Sequence, residues 1–246
     1  MKRAFTTSAK YYEILSNNEE RLKREGPFLT EFLGKAPGRK VVDIACGTGI
    51  HAEYFGLLGA EVDAFDISPE MIDHANKEHN HLAVRYHIGD MRNLTGGKWD
   101  LAFCLGNSIS LLSTPDDVSK TFNSVGVSLS RGGIFLIQIL NYLSSDFNKP
   151  HHRLEHKTIG EFEITAVKDL IPHGEKTLLT LGFFSFHNGR FESLSETAVL
   201  TNWTLDDISP LAIEEGFSLE DVYGGFDKSV FDLENSNDLI CVFRKN

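Results

Sequence analysis

The chain is poor in cysteine, in basic charge and in long apolar runs. Its three cysteines, Cys46, Cys104 and Cys241, are an odd, scattered set without C-x-x-C spacing. That argues against a disulfide framework or a zinc site and points to a reducing, cytoplasmic setting. Lys and Arg number 24 against 35 Asp and Glu, a formal charge of −11. Such a surface repels a phosphate backbone, because non-specific nucleic-acid affinity comes from Lys and Arg displacing counterions. Nucleic acid is therefore not an expected partner. The longest apolar stretch, residues 133–140, falls far below the roughly 20 residues that span a bilayer. Lys2 and Arg3 are followed by polar Thr6, Thr7 and Ser8, not by the hydrophobic segment of a signal peptide. A soluble protein with no membrane partner is expected, and neither an internal repeat nor a low-complexity run is present.

What is there suffices for one full core: 246 residues, 41% of them apolar, predict one compact unit with an embellishment. Helical segments are expected around 5–15 and 18–34, then strands at 40–45, 61–66, 84–89, 99–105 and 133–140. Helices at 49–58, 69–79 and 115–130 fall between those strands. Ser68-Pro69-Glu70 and Thr114-Pro115-Asp116 each combine a cap, a first-turn proline and an early acid. The alternation predicts a Rossmann-like α/β fold, a doubly wound and mostly parallel seven-stranded sheet whose ligand crevice lies at the strands' C-terminal ends. Beyond Asn141, residues 161–170, 176–187 and 190–201 are β-rich and joined by Gly-containing turns, an antiparallel insert. A helix at 204–215 and strands near 217–223 and 238–244 then complete the sheet. The expected division is a core of residues 1–144 and 201–246 with an antiparallel β insert at 145–200.

Residues 41–49 read Val-Val-Asp-Ile-Ala-Cys-Gly-Thr-Gly. Val41, Val42 and Ile44 suit a buried strand, and Gly47 and Gly49 allow a tight turn into a helix starting near Ile50. Bare amides at that helix start favour an anion. Asp43, at the same strand end, would repel a pyrophosphate but welcome an ammonium or sulfonium. The turn reads as a seat for a zwitterionic or cationic nucleoside. Two further strands also end in acids. Asp66 can accept from both ribose hydroxyls, with Ile67 covering one face of a base. Asp90 can accept from an exocyclic adenine amino group beside the Met91 amide. Acids at strand ends also cap the turns that follow them. A dinucleotide site competes, since Gly47-Thr48-Gly49-Ile50-His51-Ala52 satisfies G-x-G-x-x-A, but that reading leaves Asp43 misplaced and Asp90 without a role.

Asp43-Ile44-Ala45-Cys46-Gly47-Thr48-Gly49, Asp66-Ile67-Ser68-Pro69-Glu70-Met71 and Gly89-Asp90-Met91 together resemble the motif series of class I S-adenosylmethionine-dependent methyltransferases. The resemblance implies S-adenosyl-L-methionine as cofactor. Its methionine amino group would lie near Asp43 and the carbonyls of Ala45 and Leu105, its ribose on Asp66, and its adenine between Ile67 and Met91 with Asp90 on the amino group. Phe103-Cys104-Leu105-Gly106-Asn107-Ser108 and Asn141-Tyr142 resemble glycine and sarcosine N-methyltransferases. Trp203-Thr204-Leu205, Glu215-Gly216-Phe217 and Tyr223-Gly224-Gly225-Phe226 resemble amino-sugar N,N-dimethyltransferases. Tyr11-Tyr12-Glu13 matches an N-terminal helical element of such enzymes, which puts Tyr12 over the cofactor.

The expected reaction is methyl transfer to a small molecule, foremost to an amine nitrogen. O-methylation and a cofactor-binding module without turnover are the alternatives. Asn107 and Tyr142 are the candidates for holding the acceptor, and no catalytic base is assigned. Glycine methyltransferases place a carboxylate-fixing arginine before the Asn-Tyr pair; here Leu140 stands there and cannot clamp a carboxylate. Glycine is thus not the expected acceptor. His151, His152 and His156 invite a metal reading, but adjacent strand residues face opposite ways and no matching carboxylate completes a site. The insert is expected to act as lid, acceptor wall or homodimer surface, with the Phe183, Phe184, Phe186 and Phe191 cluster as its core or its contact face.

Overall fold

The computed structural model describes residues 9–246. Two helices come first, α1 (Ala9–Ser16) and α2 (Asn18–Lys35); the expected helical residues 5–8 lie outside the described part. Asn17, at φ 45°, separates the two, and asparagine tolerates that left-handed turn better than most residues. The alternating unit follows as β1 (Lys40–Ile44), α3 (Ile50–Leu57), β2 (Glu61–Asp66), α4 (Pro69–Glu78), β3 (Val84–Ile88), β4 (Trp99–Cys104), α5 (Pro115–Ser128) and β5 (Leu129–Leu140). The insert contributes β6 (His151–Ile159), β7 (Phe162–His173), β8 (Lys176–His187) and β9 (Arg190–Thr201). Last come α6 (Leu205–Glu214), β10 (Phe217–Tyr223) and β11 (Asp238–Lys245).

Seven strands form one sheet in the order β10-β11-β5-β4-β1-β2-β3. All run parallel except β11, which is antiparallel to both β5 and β10. Strand order reverses between β1 and β4, so a crevice opens at their C-terminal ends, where ligands bind in open α/β sheets. Period-two alternation sends successive side chains to opposite layers. Val41, Leu101 and Phe103 join Phe28, Phe32 and Phe55 on one face, whereas Val42, Ala102 and Cys104 join Phe122 and the insert on the other. The caps form as their sequences specify: the Ser68 hydroxyl accepts from the Met71 amide and the Thr114 hydroxyl from the Asp117 amide.

The insert is a separate antiparallel sheet in the order β6-β7-β8-β9. Its first strand was not anticipated. Residues 151–159 are polar with few apolar positions, which is what an edge strand paired on one side needs and what sequence periodicity overlooks. Phe183 faces inward against Tyr11, with ring centroids 5.8 Å apart. Phe184, Phe186 and Phe191 lie exposed on the outer face. The phenylalanine cluster thus divides between core and surface. His151, His152 and His156 hydrogen-bond the Asp146 carbonyl, Asp169 and Thr165 respectively. No group of three or more metal-ligating side chains converges among the described residues, and none of their helices is long and apolar enough to cross a membrane.

Candidate functional site

The crevice at the β1–β4 switch is one end of a cavity of about 1220 Å³ that continues to the inward face of the insert. Tyr12, Asp43, Ala45, Gly47, Asp66, Ile67, Asp90, Met91, Leu105 and Asn107 all line it. Two of the expected site residues stand back. Gly49 makes the turn at φ 92°, and a Cβ there would lie 2.6 Å from the Tyr86 hydroxyl. Tyr142 is buried behind the wall, where its hydroxyl accepts from the Asn107 amide at 2.7 Å. Tyr142 thus holds the Asn107 side chain and does not itself line the cavity. Asn107 is itself engaged, because its carbonyl oxygen accepts from the Leu140 amide at 3.0 Å and the Ser110 hydroxyl at 3.1 Å. It ties β5 to the loop after β4 as well as lining the cavity.

The electrostatics of the strand ends are unusual. Asp43 is 2% exposed, and its Oδ2 has no hydrogen-bond partner. Burial pushes its carboxyl well above the usual range; Arg21 opposes that and Asp66 adds to it. A buried acid with a partnerless oxygen is complementary to a small cation with N–H donors. Ala45 lies beside it at φ 57°, a left-handed conformation costing an L-residue about 1–2 kcal/mol. Strain of this kind collects at functional sites, and here it turns the chain at the strand end. Asp66 accepts from the amides of Gly47 and Ser68, each at 2.9 Å. Each of its oxygens keeps a lone pair for a hydroxyl. Ile67 is 37% exposed although apolar and faces the cavity. Asp90 is paired with Arg92, whose hydrogen bonds hold its carboxyl below the usual range.

A second group of wall residues escaped the sequence reading. Arg21 and Glu25 stand one turn apart on α2, the spacing of an ordinary surface pair. Folding buries Glu25 to 2% exposure, where its carboxylate takes hydrogen bonds from Arg21, Arg24 and His51. Burial raises the Glu25 carboxyl, but those three donors outweigh it and bring it to about 2. His51, lowered by its own burial, is the neutral donor of the pair. Glu25 thus aims Arg21 at the Asp43 end of the cavity.

Helix α1, which brings Tyr12 to the cavity, is latched down by His79 at the end of α4. The ring bonds Glu13 at 2.8 Å and Glu53 at 2.7 Å through its two nitrogens. The Glu13 hydrogen bond raises His79 from 6.5 to about 9, and the same bond lowers Glu13 to about 2. A raised histidine contributes stability that is complete below its unfolded value and lost as pH climbs through the folded one. For this partly solvated pair that amounts to about 1–2 kcal/mol. Melting curves of His79→Ala should fall below wild type by a margin that is full at pH 5–6 and gone by about pH 10. A margin independent of pH would refute the latch.

A family model described as a methyltransferase domain matches residues 41–133. The glycine/sarcosine/dimethylglycine N-methyltransferase of Actinopolyspora halophila is 30% identical over 231 residues, 89% of this chain. The chain spans only 38% of that enzyme's length. The dTDP-4-amino-2,3,4,6-tetradeoxy-D-glucose N,N-dimethyltransferase of Saccharopolyspora spinosa is 30% identical over 191 residues, 74% of this chain and 72% of the relative. Among solved structures, an S-adenosylmethionine-dependent methyltransferase from Clostridium acetobutylicum superposes with a TM-score of 0.80 at 19% identity, covering 97% of each chain. A sugar N-methyltransferase from a Streptoalloteichus species gives 0.78 at 17% identity, covering 100% of this chain and 95% of the other. The fold is thus the Rossmann-like one of these structures, with its crevice at the strand ends. The chain belongs to the methyltransferases.

Proposed function

We propose that the protein transfers a methyl group to the amine nitrogen of a small molecule. The observation that carries this reading is the continuity of one cavity from the charged strand ends to an apolar wall supplied by β5 and the insert. At the strand ends, Asp43 and the carbonyls of Ala45 and Leu105 take the methionine ammonium and Arg21 its carboxylate. Asp66 takes the ribose, and Asp90, Ile67 and Met91 the adenine, with Tyr12 closing over them. The bound cofactor supplies a methyl group activated by its sulfonium, so positioning and exclusion of water account for most of the rate. Leu140, Leu170, Leu179 and Leu181 wall the other end. Their low polarity disfavours an ammonium and leaves the acceptor nitrogen its lone pair. Asn107 orients the acceptor, with Tyr142 holding its amide in place.

In this reading residues 1–144 and 201–246 are the cofactor-binding core, and residues 145–200 wall the acceptor site. A second copy of the chain covers the exposed Phe184, Phe186 and Phe191 on the insert's outer face. Nucleic acid is not a partner, and three buried, free cysteines suit a cytoplasmic setting. The test is labelled methyl transfer to a panel of small amines and hydroxyl compounds. Transfer to amines other than glycine is expected, since Leu140 offers no carboxylate clamp. Efficient turnover of glycine, or transfer confined to hydroxyl compounds, would overturn this assignment.

A further inference from the structure

We propose that Gln138 and Asp238 are positioning residues for the cofactor, fixing the peptide between Leu105 and Gly106 so that the Leu105 carbonyl meets the ammonium of the methionine moiety. This rests on the reading of the Leu105 carbonyl as an ammonium acceptor and assigns the two side chains that hold it there.

The chain leaves β4 through two consecutive left-handed residues, Gly106 and Asn107, each at φ 70°. Glycine takes that conformation freely and asparagine tolerates it, so the local sequence permits the turn without fixing the direction of the Leu105–Gly106 peptide. The restraint comes from β5. The Gly106 amide donates to Gln138 Oε1 at 2.7 Å, and the Asn107 amide to the Gln138 backbone carbonyl at 3.2 Å. In a trans peptide the N–H and the carbonyl lie on opposite edges. Anchoring the Gly106 N–H on Gln138 therefore turns the Leu105 carbonyl the other way. That carbonyl accepts from the Ser108 hydroxyl at 2.9 Å and keeps a second lone pair, and both residues line the cavity.

Gln138 is 7% exposed and ends the β5 stripe that Ile134 and Leu136 begin, both of them buried in the core. A side-chain amide in that place could present either its oxygen or its nitrogen to Gly106. Asp238 decides between them. Gln138 opposes Ile240 on β11 and Leu140 opposes Asp238, so Asp238 is the diagonal neighbour of Gln138 on the same face. Its Oδ1 accepts from Gln138 Nε2 at 2.7 Å. A carboxylate only accepts, so it claims the amide nitrogen and leaves the oxygen to Gly106. Burial raises the Asp238 carboxyl and Glu25 adds to the rise, whereas the Gln138 hydrogen bond and Arg24 and Arg21 on α2 favour the ionised form. An apolar pair would fill the same space without the cost of burying polar groups. What the polar pair adds is direction.

The test is a charge exchange in the whole protein, read by calorimetry with S-adenosylhomocysteine and with 5′-methylthioadenosine, which has the nucleoside and thioether but no amino acid. Asp238→Asn lets the side-chain pair reverse, and Gln138→Glu sets two carboxylates against each other. Each is expected to weaken S-adenosylhomocysteine about ten-fold, the scale of one hydrogen bond to a charged group, and to leave methylthioadenosine affinity unchanged. Combining the two rebuilds the relay with its charge moved to position 138, where the new carboxylate accepts from Gly106 and from the new amide. The combination should restore most of the lost affinity. Thermal melts establish that each variant is folded; should Gln138→Glu not fold, Asp238→Asn against the combination decides alone. Wild-type affinity in the single variants, or losses that add in the combination, would overturn the proposal while leaving the cofactor reading intact. Equal weakening of methylthioadenosine would overturn it as well, because the effect would not be confined to the ammonium end. Tighter binding by Gln138→Glu would do the same, since the site would then respond to charge alone. Failure of the wild type to bind S-adenosylhomocysteine would instead count against the cofactor reading.

Discussion

Replacing Asp43 with asparagine is expected to weaken S-adenosylhomocysteine binding about 100-fold and, at the same time, to raise the melting temperature of the ligand-free protein. The two effects have one cause. Within the protein the Asp43 carboxyl is buried with an oxygen that no protein group bonds, and its pKa stands well above the usual range because burial disfavours the charge. An acid whose folded pKa is raised loses stability as pH rises past its unfolded value, so at neutral pH the aspartate burdens the fold. Asparagine removes the charge and relieves that burden. An ammonium placed on Asp43 would pair with the carboxylate in a water-poor site, where losing one partner of an ion pair costs about 3 kcal/mol or more. Calorimetry with S-adenosylhomocysteine, which shares the methionine amino group, and thermal melts of the same samples would check both signs. Unchanged affinity would remove Asp43 from the cofactor site. A lower melting temperature would show that the carboxylate already has a stabilising partner.

The second large effect concerns Glu25. Truncation to alanine leaves His51 and Arg21 without their shared acceptor in a buried setting, which costs about 3–5 kcal/mol. For a chain of this size that lowers the melting temperature by about 10 °C. The acid limb carries a signature. Glu25 is brought from 4.5 to about 2 in the fold, so its stabilisation is complete above about pH 4.5 and disappears as pH falls through 2. The gap between wild type and Glu25→Ala should therefore be widest near neutrality and close in acid. Glu25→Gln, which keeps an acceptor for one donor, should recover part of the loss. Cofactor affinity should fall in the alanine variant as well, because Arg21 is no longer aimed. A melting temperature within a degree of wild type would show that the network is not a structural unit.

These two residues also mark the limits of sequence reading. The placement of Asp43 was legible because it is local: a strand end, a glycine turn and an acid four residues before that turn lie close along the chain. The doubly wound, mostly parallel sheet, the caps at Ser68 and Thr114 and the convergence of Asp66 and Asp90 on one edge were equally legible, since βα units impose handedness and direction on what they connect. Glu25 was not. An Arg21–Glu25 pair at helical spacing looks the same in sequence whether it is solvated or buried, and only the packing of α2 against α3 brings His51 to it. The edge strand at 151–159 was missed because polar residues satisfy an edge without apolar alternation.

Tyr142 shows the same boundary. Tyr142 was placed beside the substrate but stands behind Asn107, a difference of depth that spacing along the chain cannot express. By itself the sequence determined the doubly wound sheet and the strand-end turn that opens its crevice, because those follow from short-range pattern. The tertiary structure alone decided which charges are buried, which are paired and which line the cavity, because burial and pairing depend on contacts between segments far apart in the chain.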